Sequence, residues 1–321
     1  MKSAKHILVT GGAGFIGSHL VERLLKDGKT VVVVDDLSTG SLENLAALKA
    51  SPRLRFIQSK ISGCAVLERL AAEAEFIFHL AATVGVELVV KSALHVLESS
   101  FNETQVLLRA AVRNSTPLLL ASTSEVYGKS AKHEFSEDDD LLIGPPSHSR
   151  WSYACAKLTD EFLALACARE KKLPVIIARL FNTVGPRQTG RYGMVLPRFI
   201  AAARVGEPLQ VFGDGKQTRC FCLVHDLVEA LMRLMDSEKA RGEVFNVGGT
   251  EEVSIVELAR LVVDALGSKS KIELIPYDQA YAPGFDDMRR RKPRVEKLEH
   301  CVNFKPQTAL RDIIRLTAGL K

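Results

Sequence analysis

The segment TGGAGFIG, residues 10–17, separates a short apolar run, His6–Thr10, from a helical pattern, Phe15–Lys26. Its spaced glycines are Gly11, Gly14 and Gly17. Glycines at this spacing permit a tight turn, close approach of the backbone to a pyrophosphate, and packing of the helix on the strand. The N-terminus of the helix also offers free N–H groups to an anion. Because an ordinary strand–helix turn can be equally rich in glycine, this segment alone is a weak signal.

A carboxylate follows at the position where a ribose would be bound. Asp35 ends the second predicted strand, Thr30–Val34, and lies 18 residues after Gly17. A carboxylate there accepts hydrogen bonds from both ribose hydroxyls and repels a 2′-phosphate, which favours NAD over NADP. A solvated strand end is the simpler interpretation, but together with the glycines we predict an NAD site. Its further members are Phe15, Ile16, Asp36, the backbone near Ile61, Leu80 and Ala81.

The first half of the chain alternates strand-like and helical segments. Further strands are predicted at Leu54–Gln58, Glu75–His79, Pro117–Ala121 and Val175–Arg179, with helices near 41–49, 64–72, 92–113 and 152–170. Strand, crossover and strand repeated in this way predict an α/β fold, a Rossmann-type doubly wound parallel sheet.

The second half of the chain is more irregular. It contains glycine-rich turns, a predicted helix starting with Asp226 as its N-cap, and a helix capped by Ser254. We expect residues 1–180 to form the NAD-binding domain, joined by a returning segment near 225–248. Residues 181–321 are then a smaller, mixed α/β lobe that binds the substrate.

Composition excludes several classes of protein. The 321 residues are 46% hydrophobic and carry a net charge of +5, too small a charge for a dedicated nucleic-acid or membrane-surface binder. No apolar run reaches the roughly 20 residues that span a bilayer. The six cysteines have no metal-site spacing, so we expect reduced thiols and no metal. Since the first residues lead directly into a strand, without the apolar core of a signal peptide, we expect a cytoplasmic protein.

A second set of residues points to chemistry. Tyr153 and Lys157 are four residues apart on a predicted helix and so lie on one face of it. A nearby ammonium and the positive nicotinamide ring of NAD⁺ lower the pKa of a tyrosine toward that of a useful base. An ordinary amphipathic helix can carry the same pair. The segment STSEVYG, residues 122–128, follows a strand at the edge where open α/β sheets bind ligands, and Thr123 and Glu125 would share one side if the strand stays extended.

In this order, TGGAGFIG, the strand-end aspartate, STSEVYG and YxxxK resemble the extended short-chain dehydrogenase/reductase family that acts on nucleotide sugars. The resemblance covers nearly the whole chain, including residues 179–187 and 213–221. It implies that Thr123 binds the sugar O4, that Tyr153 is the base, and that Lys157 holds the nicotinamide ribose. It also implies a UDP-sugar substrate and a homodimer formed by the helices near 92–113 and 152–170. The substrate-binding positions it implies are Asn182, Arg187, Arg219 and Arg291.

The acidic residue Glu125 distinguishes the subfamilies of this nucleotide-sugar family. The pair Ser124 and Glu125, together with Arg291 in the run Arg289–Lys292, is most similar to UDP-glucuronate decarboxylases. Oxidation of C4 in a glucuronate makes a β-keto acid that loses CO₂ through an enolate. These three residues would position the carboxylate, stabilise the enolate and assist reprotonation. Four cations in a row are more often a solvated turn than a nucleic-acid patch.

The alternatives are a UDP-hexose or UDP-hexuronate 4-epimerase, and then a nucleotide-sugar 4,6-dehydratase. A fourth possibility, from a different class, is a non-catalytic regulator that binds NAD through the same fold. Such a regulator would be expected to lose the tyrosine–lysine pair, and here that pair is intact.

Overall fold

The computed structural model describes residues 5–82, 92–190, 194–280 and 288–320. Its central sheet has seven strands, all parallel. They are β1 (His6–Thr10), β2 (Val31–Asp35), β3 (Leu54–Gln58), β4 (Ala74–His79), β5 (Leu118–Thr123), β6 (Val175–Leu180) and, late in the chain, β11 (Glu243–Val247). The order across the sheet is β11-β6-β5-β4-β1-β2-β3, so the direction of winding reverses beside β1. The predicted doubly wound α/β fold is therefore confirmed.

The remaining strands form three small two-stranded sheets. They are β7 (Thr183–Val184) with β10 (Cys222–Leu223), β8 (Leu209–Phe212) with β13 (Ile272–Ile275), and β9 (Thr218–Cys220) with β12 (Glu252–Ser254). Only the last of these pairs is antiparallel.

Ten α-helices are present in the described ranges. They are α1 (Phe15–Lys26), α2 (Leu67–Glu73), α3 (Ala93–Asn114), α4 (Trp151–Lys171), α5 (Val195–Val205), α6 (Val224–Asp236), α7 (Ile255–Leu266), α8 (Tyr277–Ala280), α9 (Glu296–Val302) and α10 (Leu310–Thr317). Three 3₁₀ helices cover Leu42–Leu48, Ser124–Tyr127 and Glu238–Ala240. In the described ranges, no helix is both long enough and apolar enough to cross a bilayer.

The core has a layer on each face of the sheet because successive strand residues point in opposite directions. Ile7 and Val9 of β1 pack with α1 and α6, whereas Leu8 between them packs with α2 and α3. A third apolar cluster belongs to the smaller lobe and joins α5, α7 and α10.

Two local expectations need correction. The helix predicted near residues 41–49 is a 3₁₀ helix, which Ser41 starts by accepting a hydrogen bond from the backbone N–H of Glu43. Asp226 is not an N-cap, because α6 begins two residues earlier, at Val224. Its carboxylate instead accepts the backbone N–H groups of Gln307 and Thr308, a long-range contact that no local pattern announces. The cap by Ser254 is confirmed by its bond from the N–H of Glu257.

Candidate active site

The glycine turn brings β1 and α1 unusually close together. A side chain at Gly17 would place its Cβ 2.1 Å from the carbonyl oxygen of Gly11. Gly11 itself has a φ of +73°, and a Cβ there would lie 2.6 Å from the backbone nitrogen of Ala81. The N-cap of α1, Gly14, has no capping side chain, so the first N–H groups of the helix are open to an anion. We call this glycine turn, with the start of α1, the cradle; its backbone N–H groups suit the predicted pyrophosphate.

Asp35 ties this cradle to the end of β2. Its carboxylate is 8% exposed and accepts the N–H of Ala13 at 2.9 Å and that of Leu37 at 2.8 Å. Burial raises the pKa of the Asp35 carboxyl, and the two hydrogen bonds oppose that shift. Because each carboxylate oxygen has two lone pairs, Asp35 can still accept ribose hydroxyls. Asp36 is half-buried and accepts the N–H of Ser38.

The other predicted cofactor residues line the same edge. Phe15 and Ile16 open α1 and are half-buried, as are Leu80 and Ala81 directly after β4, and Ile61 is buried after β3. These positions therefore follow the carboxyl ends of neighbouring strands, where a dinucleotide binds in doubly wound sheets.

His79 joins three elements behind the cradle. Its Nδ1 lies 2.8 Å from the hydroxyl of Thr10 at the end of β1, and its Nε2 lies 3.1 Å from the hydroxyl of Thr104 on α3. Burial lowers the pKa of His79 to about 3, and the positive charge of Lys157 acts in the same direction. The imidazole is therefore neutral at physiological pH.

Tyr153 and Lys157 lie on α4, one turn apart. The Tyr153 hydroxyl is hydrogen-bonded to the side chain of Thr123. Burial raises the pKa of Tyr153 above its ordinary value; the negative charges of Glu125 and Asp160 raise it further, and the bond to Thr123 lowers it. Without a positive group added above the ring, the phenol keeps its proton. Lys157 is 2% exposed, and its Nζ lies 3.0 Å from Oδ2 of Asp160.

A group of arginines surrounds Glu125. Arg291 Nη2 lies 2.6 Å from Oε1 of Glu125, and Arg150 Nη2 lies 3.4 Å from Oε2. Burial raises the pKa of Glu125, but the charges of Arg291, Arg150 and Arg219 outweigh that effect and hold the pKa below its usual value. We call Arg150, Arg219 and Arg291 the arginine cluster. Glu125 thus lies within reach of the positive charges of three guanidinium groups.

Glu125 reaches the cluster because β5 does not stay extended. The strand ends at Thr123, and the 3₁₀ helix Ser124–Tyr127 follows at once. The hydroxyl of Thr123 accepts the N–H of Glu125 at 3.2 Å and so stabilises the turn. Ser124 is 1% exposed in the first position of that turn. Thr123 and Glu125 therefore both lie near Tyr153, but on a turn and not on an extended strand.

The residues predicted to bind substrate fall into two groups. Asn182 accepts a hydrogen bond from Arg291 at 3.5 Å and donates to the carbonyl of Cys220, so it borders the arginine cluster. Arg219, on β9, is 7% exposed and belongs to the cluster. Arg187 instead contacts α1, where it donates to Ser18 and forms an ion pair with Glu22. Its described contacts thus lie beside the cofactor cradle.

Two contributors were not predicted from the sequence. Arg150 precedes Tyr153 by three residues and Asp160 follows Lys157 by three, so each lies about one helical turn from a predicted catalytic residue. Helical spacing alone could have drawn attention to them. Their partners could not be inferred from local sequence, because Glu125 and Ser100 are distant in the chain.

A network of buried hydrogen bonds connects residues 122–128 to α4 and to neighbouring strands. Glu161 on α4 receives a hydrogen bond from Ser122 and pairs with Arg179 on β6 at 2.8 Å. Arg179 donates in turn to the hydroxyl of Tyr127, which donates to Asn246 on β11. Three strands and α4 are therefore linked directly beneath the site. No group of three or more potential metal ligands occurs in the described ranges.

Comparison with known proteins adds independent information. The family model described as the NAD dependent epimerase/dehydratase family matches residues 7–248. The chain is 43% identical over 306 residues to the UDP-N-acetyl-alpha-D-glucosaminuronate decarboxylase of Bacillus cytotoxicus, covering 95% of this chain and 94% of that protein. It is 38% identical over 305 residues to UDP-glucuronic acid decarboxylase 4 of Arabidopsis thaliana, covering 95% of this chain and 66% of the plant protein.

Solved structures are similar over almost their whole length. The UDP-glucuronic acid 4-epimerase of Bacillus cereus, solved with UDP-glucuronic acid and NAD, has a TM-score of 0.87 and 28% identity, covering 98% of each chain. The UDP-N-acetylglucosamine 4-epimerase of Methanobrevibacter ruminantium has a TM-score of 0.88 and 29% identity, covering 99% of this chain and 98% of that one.

Proposed function

Since the chain belongs to the NAD-dependent epimerase/dehydratase family, we propose that it is a UDP-hexuronate decarboxylase whose substrate is UDP-glucuronate. The observation that carries the proposal is the arginine cluster, which meets Glu125 beside the Thr123–Tyr153 hydrogen bond. A substrate carboxylate attached to the reacting sugar ring is the kind of anion that such a cluster binds. UDP-N-acetylglucosaminuronate is a second candidate, favoured by the 43% identity to a decarboxylase named for that sugar.

The cofactor NAD fits the cradle, because Gly11 and Gly17 let the turn close tightly against the start of α1, whose first N–H groups have no side-chain cap, and Asp35 offers acceptors to a ribose. Residues that would hold it are Gly14, at the open N-terminus of α1, and Lys157, on the nicotinamide side. When bound, NAD supplies the hydride acceptor, and afterwards the hydride donor, for the sugar carbon.

Each catalytic side chain then has one task. Tyr153 takes the proton of the C4 hydroxyl and can later return it, while Thr123 orients that hydroxyl. The resulting ketone is β to the C6 carboxylate, so the bond from C5 to C6 breaks, CO₂ leaves, and its electron pair remains as an enolate. The cations of the arginine cluster stabilise that negative charge, and C5 takes up one proton. Ser124 and Glu125 position Arg291 and the sugar during these steps.

Mass spectrometry of the reaction products tests the proposal. We expect the purified protein, given NAD and UDP-glucuronate, to form a product lighter by one CO₂, and UDP-N-acetylglucosaminuronate run in parallel decides between the two sugars. An isomer of unchanged mass would make the protein an epimerase instead, and a loss of water would make it a dehydratase. Bound NAD without any conversion would favour the non-catalytic regulator.

We also propose a homodimer formed through α3 and α4. These helices expose large apolar side chains, which a monomer would leave in water. The exposed fractions are 69% for Leu94, 38% for Leu97, 42% for Phe101 and 63% for Phe162.

We further propose a cytoplasmic location. All six cysteines are free thiols, which is typical of reducing compartments.

We also propose that the chain divides into an NAD-binding domain (1–180, with a returning segment near 225–248) and a substrate lobe (181–321). The pairing of β11 with β6 supports the returning segment, and the separate apolar cluster of α5, α7 and α10 supports the lobe.

A further inference from the structure

A buried acid stands behind the Tyr153–Lys157 pair, in contact with Lys157. Asp160 lies on α4 and has no exposed surface. Its Oδ2 accepts two hydrogen bonds, one from Lys157 Nζ at 3.0 Å and one from the hydroxyl of Ser100 on α3 at 2.8 Å. Its Oδ1 is buried and has no hydrogen-bond partner within the described part of the chain.

Burying such a carboxylate is costly, so its position needs an explanation. A buried ionised carboxylate loses several kcal/mol of hydration, and pairing with a cation offsets that loss only when the geometry is good. Here one oxygen carries both hydrogen bonds and the other carries none, so the negative charge is only partly compensated. A buried carboxylate whose sole purpose was to join α4 to α3 through Ser100 would be expected to have both oxygens hydrogen-bonded.

The pair also acts on the charge of the catalytic centre. An ammonium has three N–H groups, and Asp160 occupies one of those of Lys157, which leaves two for a nicotinamide ribose. The other charged or titratable groups near Tyr153 and Lys157 lie on neighbouring elements. They are Glu125 after β5, with Arg291 and Arg150 bound to it, and the neutral His79 at the end of β4. Asp160 is the anion among them that touches Lys157.

We propose that Asp160 is a positioning residue, whose carboxylate fixes the Lys157 ammonium and reduces the positive charge that this ammonium presents to Tyr153. The role depends on the proposed function only in taking Tyr153 as the base and Lys157 as its partner. It does not depend on which sugar is bound. Asp160 thereby keeps the phenol protonated until the positive charge of the bound cofactor is also present. Its negative charge already acts on Tyr153 in that direction, since it raises the pKa of the phenol.

The test is the variant Asp160→Asn, which keeps the shape and an acceptor for Lys157 but removes the charge. We expect the Tyr153 phenol to ionise at a pH lower by about half a unit to one unit. Ultraviolet difference titration of the NAD-loaded protein, corrected with the Tyr153→Phe variant, measures this without any sugar. Once a sugar substrate is established, the acidic limb of kcat/KM should move by the same amount.

An unchanged ionisation pH in a folded Asp160→Asn protein would overturn the proposal. Ser100→Ala provides the second variant, because it keeps the charge of Asp160 and removes one of its two anchoring bonds. We expect Ser100→Ala to weaken NAD binding about threefold, by loosening Lys157, with the phenol titrating as in the wild type. Unaltered NAD binding in that variant would contradict the positioning role even if Asp160→Asn failed to fold. Failure of the decarboxylation assay would leave both measurements valid.

Discussion

At Tyr153, the surrounding residues oppose the ionisation that the proposed role of this phenol as a base requires. Burial and the charges of Glu125 and Asp160 raise the pKa of the phenol, and the bond to Thr123 opposes them. A base that forms only when the cofactor's positive charge is present avoids a buried phenolate in the empty site. The residues around Tyr153 therefore keep the phenol protonated as long as the cofactor is not bound.

Replacement of this phenol gives the most direct prediction. Tyr153→Phe should lower kcat by at least about a hundredfold, because general acid–base catalysis contributes on the order of 10² to 10⁴. NAD affinity, measured by calorimetry, should change less than about threefold, since Lys157 and the glycine cradle remain. Full turnover by this variant would remove Tyr153 from the mechanism.

The pairing of Glu125 with Arg291 predicts a second loss of activity. Glu125→Gln removes the anion that the arginine cluster surrounds, so Arg291 should lose its position and kcat should fall about a hundredfold. Glu134→Gln is a matched control, because Glu134 pairs with Lys292, the next residue of the same basic run, and lies nearer the surface. Product formation measured by mass spectrometry should be affected by the first substitution only. Equal losses in both variants would indicate a general structural effect.

The buried imidazole of His79 predicts how stability depends on pH. Its pKa is lowered to about 3 in the folded protein, against 6.5 for an ordinary histidine. Between these values the unfolded chain binds a proton that the folded protein does not, so stability falls as the pH decreases through this window. From pH 6.5 to about pH 5 the contribution of His79 is about 1.5 kcal/mol.

Urea unfolding at these two pH values, for the wild type and for His79→Gln, measures that contribution. The variant should lose less stability on acidification, whatever its stability at neutral pH. Exposed His95 supplies the control, and His95→Gln should follow the wild type. Identical pH dependence in His79→Gln and the wild type would contradict a neutral, buried imidazole.

At the scale of single elements, the regular patterns of the sequence predict the structure well. The bounds of β1, α1 and β3 agree with their expected ranges. A short apolar run marks β1, and an apolar spacing of four residues marks α1. The end of β5 is different. There the Thr123 hydroxyl binds the next-but-one N–H and turns the chain, a local side-chain bond that competes with the strand.

The candidate site could be predicted only in part for a related reason. Tyr153 and Lys157 stand at a recognisable spacing, and the glycines have a turn that only glycine fits. No sequence pattern identifies Arg150 as a site residue, because it belongs to the site through its hydrogen bond to Glu125, which lies 25 residues earlier in the chain. Asp160 likewise accepts a hydrogen bond from Ser100 on α3, which is distant in the chain. Contacts between distant elements are decided by packing, which periodicity does not describe.

The tight crossing of β1 and α1 gives a prediction at this scale. In Gly17→Ala the new Cβ would approach the carbonyl of Gly11 to 2.1 Å, so the strand–helix turn must open. We expect NAD affinity to fall at least about a hundredfold, because the backbone N–H groups would no longer point together at the pyrophosphate. Gly63→Ala is the control, since its nearest neighbour is the Ser59 hydroxyl at 3.7 Å and its φ is not positive. Calorimetric titration with NAD should separate the two variants, and equal affinities would refute the close crossing.

Across the whole molecule, the run Arg289–Lys292 connects segments that are far apart in the chain. On one side the N–H of Phe135 donates to the carbonyl of Lys292, and on the other the N–H of Thr218 donates to that of Arg289. All four cations have anionic partners, with Arg291 alone directed to Glu125. The backbone of the basic run therefore holds two distant segments of the chain together, and Arg291 of the run pairs with Glu125.

The helices α3 and α4 are proposed to form the interface of a homodimer. These helices carry Ser100, Thr104, Tyr153 and Lys157 on their inner faces, while Leu94 and Phe162 stay 69% and 63% exposed. Burying a side chain such as Phe162 in an interface contributes about 1.5–3 kcal/mol. Phe162→Glu should therefore raise the dissociation constant of the dimer at least about tenfold, measured by sedimentation equilibrium. Val205→Glu changes a side chain that is 73% exposed on α5, and it should leave a dimer intact. A wild-type protein that sediments as a monomer would exclude this interface. If Phe162→Glu is monomeric and also binds NAD more weakly, the interface would additionally support the helices that hold Lys157, because the same two helices form both.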